Sequence, residues 1–534
     1  MDNHIRLFLI FETCYIPAGR AGAVGFLKAR VLVHRGRPEK VGLRCPNHDV
    51  HSHESGDCIL ISAARTSRST LFNPTVARRG EKLLYGVMLA VLLAAGPWAV
   101  YRASVNGGSD FPEFREAGQF VLEHGTRHPR SALYRYLPSL DVACIPLTWI
   151  PIGASAAVWY AVNAGCWLGM LKTIRTELLP DCQPQFAGDV TLAAALLALP
   201  LAIDGFLLGG FHVLMLWLMI AGTLRAVRGS NWTGGILLGT ATWLKLLPVL
   251  GIGYLVWQRK WKPAALALLT VVAIDTALSL PAYGWRETCD LHADWFWRDA
   301  VGTGDRQLAG DTNDDEDRIT NQSLIVVLRR VLTDRGGFPQ LSAARLSEGQ
   351  MTVVALTVLA SLGTSVLLLL RTKGRKLAPD AGGEIALVCL CTIWFSPVVW
   401  SYHLIAAVPA TAVVLARRSQ AWQRWTIIGV WCLGLALFTV DLGRAAGHML
   451  WVTFAIGGCL AWSMRRASRA VSVMSNMSVD EYSAGYQIYG REIVADQRAT
   501  RLAKELRRAA PTANAADGSK DHVALIEPKN LSSA

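Results

Sequence analysis

The chain has 534 residues, of which 52% are hydrophobic and only 17% charged, and its mean hydropathy is +0.30. Soluble domains carry roughly 25% charged residues, so an ordinary soluble enzyme is set aside. The formal net charge of +13 does not point to nucleic acid. Lys and Arg sit in short clusters between apolar runs (Arg78/Arg79/Lys82, Arg225/Arg228, Arg259/Lys260/Lys262, Arg371/Lys373/Arg375/Lys376, Arg417/Arg418, Arg465/Arg466). That is the pattern of cytoplasmic loops, and no basic patch is interleaved with exposed aromatics.

Residues 1–78 read as a polar, disordered N-terminal extension. The apolar residues 7–11 are too short to span a membrane, and nothing after them resembles a cleavage site. Cys45, His48, His51 and His53 lack a second ligand pair at zinc spacing, so no metal is expected. The 11 Cys residues are scattered and give no disulfide framework. Cys389 and Cys391 fall inside an apolar run, as small hydrophobes do.

The first span is expected over residues 83–102, and residues 79–466 form the polytopic domain. Apolar runs long enough for a bilayer core of about 30 Å must be helical, because lipid offers the backbone no partners. A polar stretch, 103–136, follows the first span. Within it Phe111, Phe114, Ala117, Gly118, Val121 and Leu122 recur at helical spacing, which predicts an amphipathic helix lying on the membrane surface. Further apolar segments lie near 138–152, 154–171, 188–207, 211–226, 232–257 and 263–281. The sequence leaves open whether 138–152 spans fully and whether 232–257 is one helix or a broken pair. A second polar loop covers 283–350. Segments near 351–370, 384–400, 402–416, 425–442 and 447–464 come next. Residues 467–534 are a charged cytoplasmic tail with a helix expected over 491–509. The fold class is an all-α polytopic membrane protein of about 12 transmembrane helices with two outer loops. Alternating the basic clusters inward places both termini in the cytoplasm and puts Asp110 and His403 on the same, outer side.

Several residues could carry chemistry. Asp110, in Ser109-Asp110-Phe111-Pro112-Glu113-Phe114, is a carboxylate at the lipid–water boundary and a candidate general base. His403 follows Pro397, which breaks a helix, and broken membrane helices persist where they line a cavity. Lys245, in Trp243-Leu244-Lys245-Leu246-Leu247-Pro248, is a cation inside apolar sequence, a place where charges face cavities and find partners. Arg135, between Tyr134 and Tyr136, and Arg329 or Arg330, after Asn321-Gln322-Ser323, are cations on the outer side suited to phosphate. Asp311, Asn313, Asp315 and Asp317 resemble the start of a calcium loop, but Glu316 and Gln322 stand where such a loop needs Gly and Glu. That stretch reads as a solvated acidic loop. Asp204, Asp275 and Asp441, in or near apolar runs, read as structural.

In order along the chain, five pieces resemble glycosyltransferase family 87. They are Asp110-Phe111 with Phe114, Ala117 and Gly118; Tyr134-Arg135-Tyr136-Leu137-Pro138 with Pro146-Leu147; Gly234, Gly239, Lys245 and Pro248; Asn321-Gln322-Ser323 with Arg329 or Arg330; and Ser396-Pro397, Trp400 and His403. Where the family usually has Gly-Gln-x-Asn, this chain has Gly209-Gly210-Phe211-His212, and it has Tyr402-His403 where the family often pairs two His.

The resemblance implies a C-type glycosyltransferase fold in a bacterial inner (plasma) membrane. It implies a hexosyltransferase that moves a sugar, foremost mannose, from a polyprenyl-phosphate donor to a lipid or glycan acceptor on the outer face, with inversion and no cofactor or metal. Asp110 would be the base. His403, Arg135, Tyr134, Tyr136, Lys245, Asn321, Gln322, Arg329 and Arg330 would contact donor phosphate or substrate. Two other readings stand beside it. One is a transporter or lipid flippase coupled through Lys245, Asp204 and Asp275, although no internal repeat is visible. The other is a related pentosyl (arabinosyl) transferase or glycan ligase.

Overall fold

Helix length and the exposure of apolar side chains decide how this chain meets a bilayer. A computed structural model describes residues 5–16, 24–35, 61–65, 74–105, 110–128, 136–303, 319–333, 344–370, 380–417 and 421–475. The chain divides into two units, Met1–Leu84 and Tyr85–Ala534. In the first, strands β1 (Ile5–Ile16), β2 (Val24–Arg35) and β3 (Ile61–Arg65) form an antiparallel sheet in that order. Ile5 pairs with Arg35, and Leu27 with Arg65. The sequence reading expects disorder over this segment. The strands form where aromatic and aliphatic residues with high β propensity recur. Cys45, His48, His51 and His53 lie outside the described residues.

Helix α1 (Pro74–Val105) leads into the second unit, in which every described element is helical. Four described helices are long and apolar enough to cross a membrane: Lys82–Val105, Pro184–Leu208, Trp261–Arg298 and Glu348–Leu369. Their outer faces are apolar and bare. Leu93, Leu269 and Val353 are each more than 60% exposed, which only a lipid surround tolerates at this density. The protein is a helical, multi-pass membrane protein.

Residues Asp110–His124 form a helix, α2, as the spacing predicts. It buries Phe111, Phe114, Ala117, Gly118 and Val121. Leu122 points outward instead and is exposed. The segment 138–152 is no span. It breaks into α3 (Ser139–Ala143) and a 3-10 turn at Ile145–Thr148, because Pro138, Pro146 and Pro151 interrupt its hydrogen bonding. Helix α4 (Ile152–Thr173) follows, then α5 (Pro184–Leu208) and α6 (His212–Val227). The stretch 232–257 is a broken pair, α7 (Asn231–Leu244) and α8 (Val249–Trp257), parted at Lys245–Pro248.

Glycine lets these helices touch backbone to backbone. A Cβ on Gly234 would stand 2.5 Å from the Ala226 nitrogen, and one on Gly239 would stand 2.4 Å from the Ala267 carbonyl oxygen. Small residues at helix interfaces permit this approach in membranes. So α7 packs closely on α6 and on α9 (Trp261–Trp295).

Helix α9 is broken at Gly284, whose φ of 74° lies outside helical space. The chain doubles back there, because His292 Nε2 lies 2.5 Å from Asp275 Oδ2, whereas 17 residues of straight helix would separate them by about 25 Å. Next come α10 (Leu324–Leu332), α11 (Glu348–Leu369) and α12 (Ala381–Trp394). Beyond Pro397 the chain does not merely kink: irregular residues 395–400 give way to a 3-10 turn, Ser401–Ala407, and then α13 (Val408–Ala416). The described chain closes with α14 (Ala421–Leu437), α15 (Asp441–Ala445) and α16 (His448–Ser475).

The main core gathers α4, α5, α6, α12, α13, α14 and α16 around fully buried Trp167 and Trp431. A smaller aromatic cluster of Phe114, Tyr136, Leu140, Phe211, Trp243 and Leu244 lies beside it.

Candidate active site

Asp110 is the first residue of α2, and that helix is held from both sides. Phe114, with no exposed surface, meets Phe211 edge-on at 4.5 Å between ring centres and Tyr136 at 6.0 Å. Burying such a ring contributes about 1.5–3 kcal/mol. A Cβ on Gly118 would stand 2.6 Å from the Cys144 carbonyl carbon, so α2 lies directly on the segment after α3. Asp110 itself is partly exposed and forms no hydrogen bond with the other described residues. It lies in the polar stretch outside the spans. Burial raises its carboxyl above the usual carboxylate range; the Lys245 charge pulls it down, and the Asp204 carboxylate pushes it up again.

Opposite the carboxylate stand three nitrogen groups. Lys245 Nζ lies 2.9 Å from His403 Nε2 and also contacts His212 Nε2. The two histidine Nε2 atoms are 2.5 Å apart. Lys245 is available because α7 stops at Leu244, leaving Lys245 in extended conformation. A cation just past a helix C-terminus also meets that helix's dipole favourably. Its ammonium lies 5.7 Å from the centre of the Tyr136 ring, a cation–π contact. His403 is fixed by its own turn, where the Trp400 backbone N–H donates to His403 Nδ1 at 2.8 Å. His212 opens α6, and its ring packs on Tyr402 at 4.4 Å between centroids.

Between Asp110 and this cluster the chain carries Gly209-Gly210. Gly209, with φ of 75°, ends α5 in left-handed conformation, and its carbonyl accepts from Trp159 Nε1 at 2.6 Å. A Cβ on Gly210 would sit 2.9 Å from His212 Nδ1 and 3.6 Å from Asp110 Oδ2. Gly210 therefore passes between the two groups with no side chain of its own. Asp204, one turn before the end of α5, accepts from Ser401 Oγ, so a second carboxylate ties the His403 turn to α5. Three preorganised nitrogen groups facing one ionisable carboxylate can hold an anion at one end of a substrate and take a proton at the other.

The structure thus brings together Asp110, His403, Lys245 and Tyr136. Tyr134 and Arg135 lie outside the described residues, as does the acidic loop 311–317. Asn321 and Gln322 are fully buried and act on the backbone. Asn321 Oδ1 accepts from the Ser323 and Val399 N–H groups at 3.0 Å each, and the Gln322 N–H donates to the Val399 carbonyl at 2.6 Å. They pin the chain just before Trp400 and His403. Arg330 donates to the carbonyls of Ile319, Asn321, Arg444 and Ala445, and Arg329 lies 3.6 Å from Glu348. These two guanidinium groups tie α10 to neighbouring chain.

The reading from sequence names His212 only as a departure from the family pattern and Asp204 only as structural or as part of a transporter path. Its logic for His403, a polar residue at a broken membrane helix, applies equally at the α5–α6 break.

Comparison with known proteins bears on this arrangement. The model of glycosyltransferase family 87 matches residues 134–392. The similarity is to family 87. A polyprenol-phosphate-mannose-dependent alpha-(1-2)-phosphatidylinositol mannoside mannosyltransferase of Mycolicibacterium smegmatis is 25% identical over 443 residues, covering 76% of this chain and 91% of that protein. A polyprenol-phosphate-mannose-dependent alpha-(1-2)-phosphatidylinositol pentamannoside mannosyltransferase of Mycobacterium tuberculosis is 25% identical over 413 residues, covering 72% and 88%. The family 87 match includes His212 and Lys245. It begins after Asp110 and ends before His403.

Proposed function

We propose that this protein is a membrane hexosyltransferase that moves mannose from a polyprenyl-phosphate donor to a lipid-linked glycan acceptor. The mycobacterial relatives carry names that specify such a donor and a phosphatidylinositol mannoside acceptor. The observation that supports the reading is the opposition of Asp110 to the Lys245, His212 and His403 nitrogens across Gly210.

The chemistry follows from that opposition. The phosphate of the donor rests against the Lys245 ammonium, which His403 and His212 flank. Asp110 takes the proton of the acceptor hydroxyl as its oxygen bonds to the anomeric carbon. The bond from that carbon to the phosphate oxygen breaks, and its electron pair stays on the phosphate. A phosphate leaves readily, so one carboxylate suffices where glycosidases use two. Attack opposite the leaving group inverts the anomeric centre. The Lys245 ammonium stabilises charge as it develops on the phosphate.

In this reading the fold is of the C-type glycosyltransferase class, with about 12 spans and both termini cytoplasmic. The site faces the outer side of the plasma membrane. The experiment is transfer from the lipid donor by purified wild type and Asp110→Asn. The variant keeps the shape and loses the base, so it should bind donor yet lose about 10²- to 10⁴-fold in kcat. Wild-type turnover in the variant would remove Asp110 from the mechanism.

A further inference from the structure

His212 faces two ways, and only its Nε2 belongs to the nitrogen cluster. A backbone N–H can only donate, so the Trp400 N–H fixes His403 Nδ1 as an acceptor. His403 must then carry its hydrogen on Nε2. That N–H lies 2.5 Å from His212 Nε2, and the Lys245 amine reaches the same atom. Two donors converge on one ring nitrogen, so His212 Nε2 is a lone pair and His212 Nδ1 bears the proton.

That Nδ1 is buried without a hydrogen-bond partner, in a side chain only 3% exposed. It stands at the gap left by Gly210, with Asp110 Oδ2 on the other side. An unmet buried donor costs about 1–3 kcal/mol, so the site is built to receive an oxygen there. With phosphate on the Lys245 side and acceptor on the Asp110 side, the part of the substrate alongside the gap is the transferred sugar.

We propose that His212 holds the transferred sugar, its Nδ1–H donating to the hydroxyl next to the reacting carbon. This rests on reading the site as a sugar-phosphate transferase. A hydrogen bond to that hydroxyl strengthens in the transition state of glycosyl transfer, so it acts on kcat as well as on binding. The tautomer that makes the bond possible is set by the Trp400 backbone.

The test uses the purified full chain with polyprenyl-phosphate-mannose and its 2-deoxy counterpart. H212L should lower kcat/KM about 10- to 100-fold on the mannosyl donor and no more than about threefold on the 2-deoxy donor. H212N, whose amide nitrogen lies near the lost Nδ1, should recover most of the mannosyl activity. H212Q, whose amide reaches toward the Nε2 position, should not. Equal losses on both donors, or rescue by Gln and not Asn, would confine His212 to the phosphate side and overturn the proposal. If H212L does not fold, the contrast between Asn and Gln decides alone. A wild type that transfers no sugar overturns the transferase reading with it; an active wild type whose variants show the reversed pattern overturns only the role of His212.

Discussion

Asp110 is a base only when ionised, and burial has lifted its pKa above the usual carboxylate range. The sign of the pH dependence follows. Turnover is full above the raised value and falls as pH drops through it, sooner than for a solvated carboxylate near pH 3.9. Asp204 contributes to the rise by like-charge repulsion. Asp204→Asn should therefore move the acid limb of the kcat/KM profile to lower pH, and an unmoved limb would disconnect the two carboxylates. Gly210 provides a second handle. Gly210→Ala puts a methyl 2.9 Å from His212 Nδ1, tighter than real contacts allow, and into the substrate gap. Donor-dependent transfer should fall at least about tenfold with little change in thermal stability, a separation that a stability assay beside the transfer assay resolves.

At the scale of elements, the site depends on where helices stop. Lys245 and His403 were legible as polar residues at breaks, since Pro248 and Pro397 announce those breaks in the sequence. His212 was harder to find. Its break is made by Gly209 turning left-handed, and glycine pairs in apolar sequence do not say whether they end a helix or pack one. Asn321 looked like a substrate contact but is a brace: its side-chain carbonyl oxygen accepts two buried N–H groups and fixes the irregular segment that enters the His403 turn. Asn321→Ala would leave both N–H groups unmet, at about 1–3 kcal/mol each. It should lower both thermal stability and transfer, while Asn321→Asp, which keeps the acceptor, should be milder in both.

For the whole molecule, the membrane character was plain from apolar run length, and the pairing of Asp110 with His403 followed from counting basic clusters. Run length could not reveal that 138–152 stays out of the span count, because its prolines act on hydrogen bonding and hydropathy ignores them. Nor could it show which of many outer polar residues converge, since that depends on side-by-side helix packing set by Gly234 and Gly239. Gly234→Val would drive a side chain into the α6 backbone. Overpacking of this kind costs about 1–3 kcal/mol or more, and the α6–α7 contact positions Lys245 against His212. Both Tm and donor affinity should fall together, and loss of one without the other would uncouple the packing from the site.

His212 and His403 touch although 191 residues of chain lie between them. During synthesis the ribosome must thread most of the helices into the bilayer before the second imidazole arrives. A half-made chain holds the carboxylate and one amine yet has no finished cradle for an anion. The nitrogen cluster is therefore complete only after the chain has been made past residue 403.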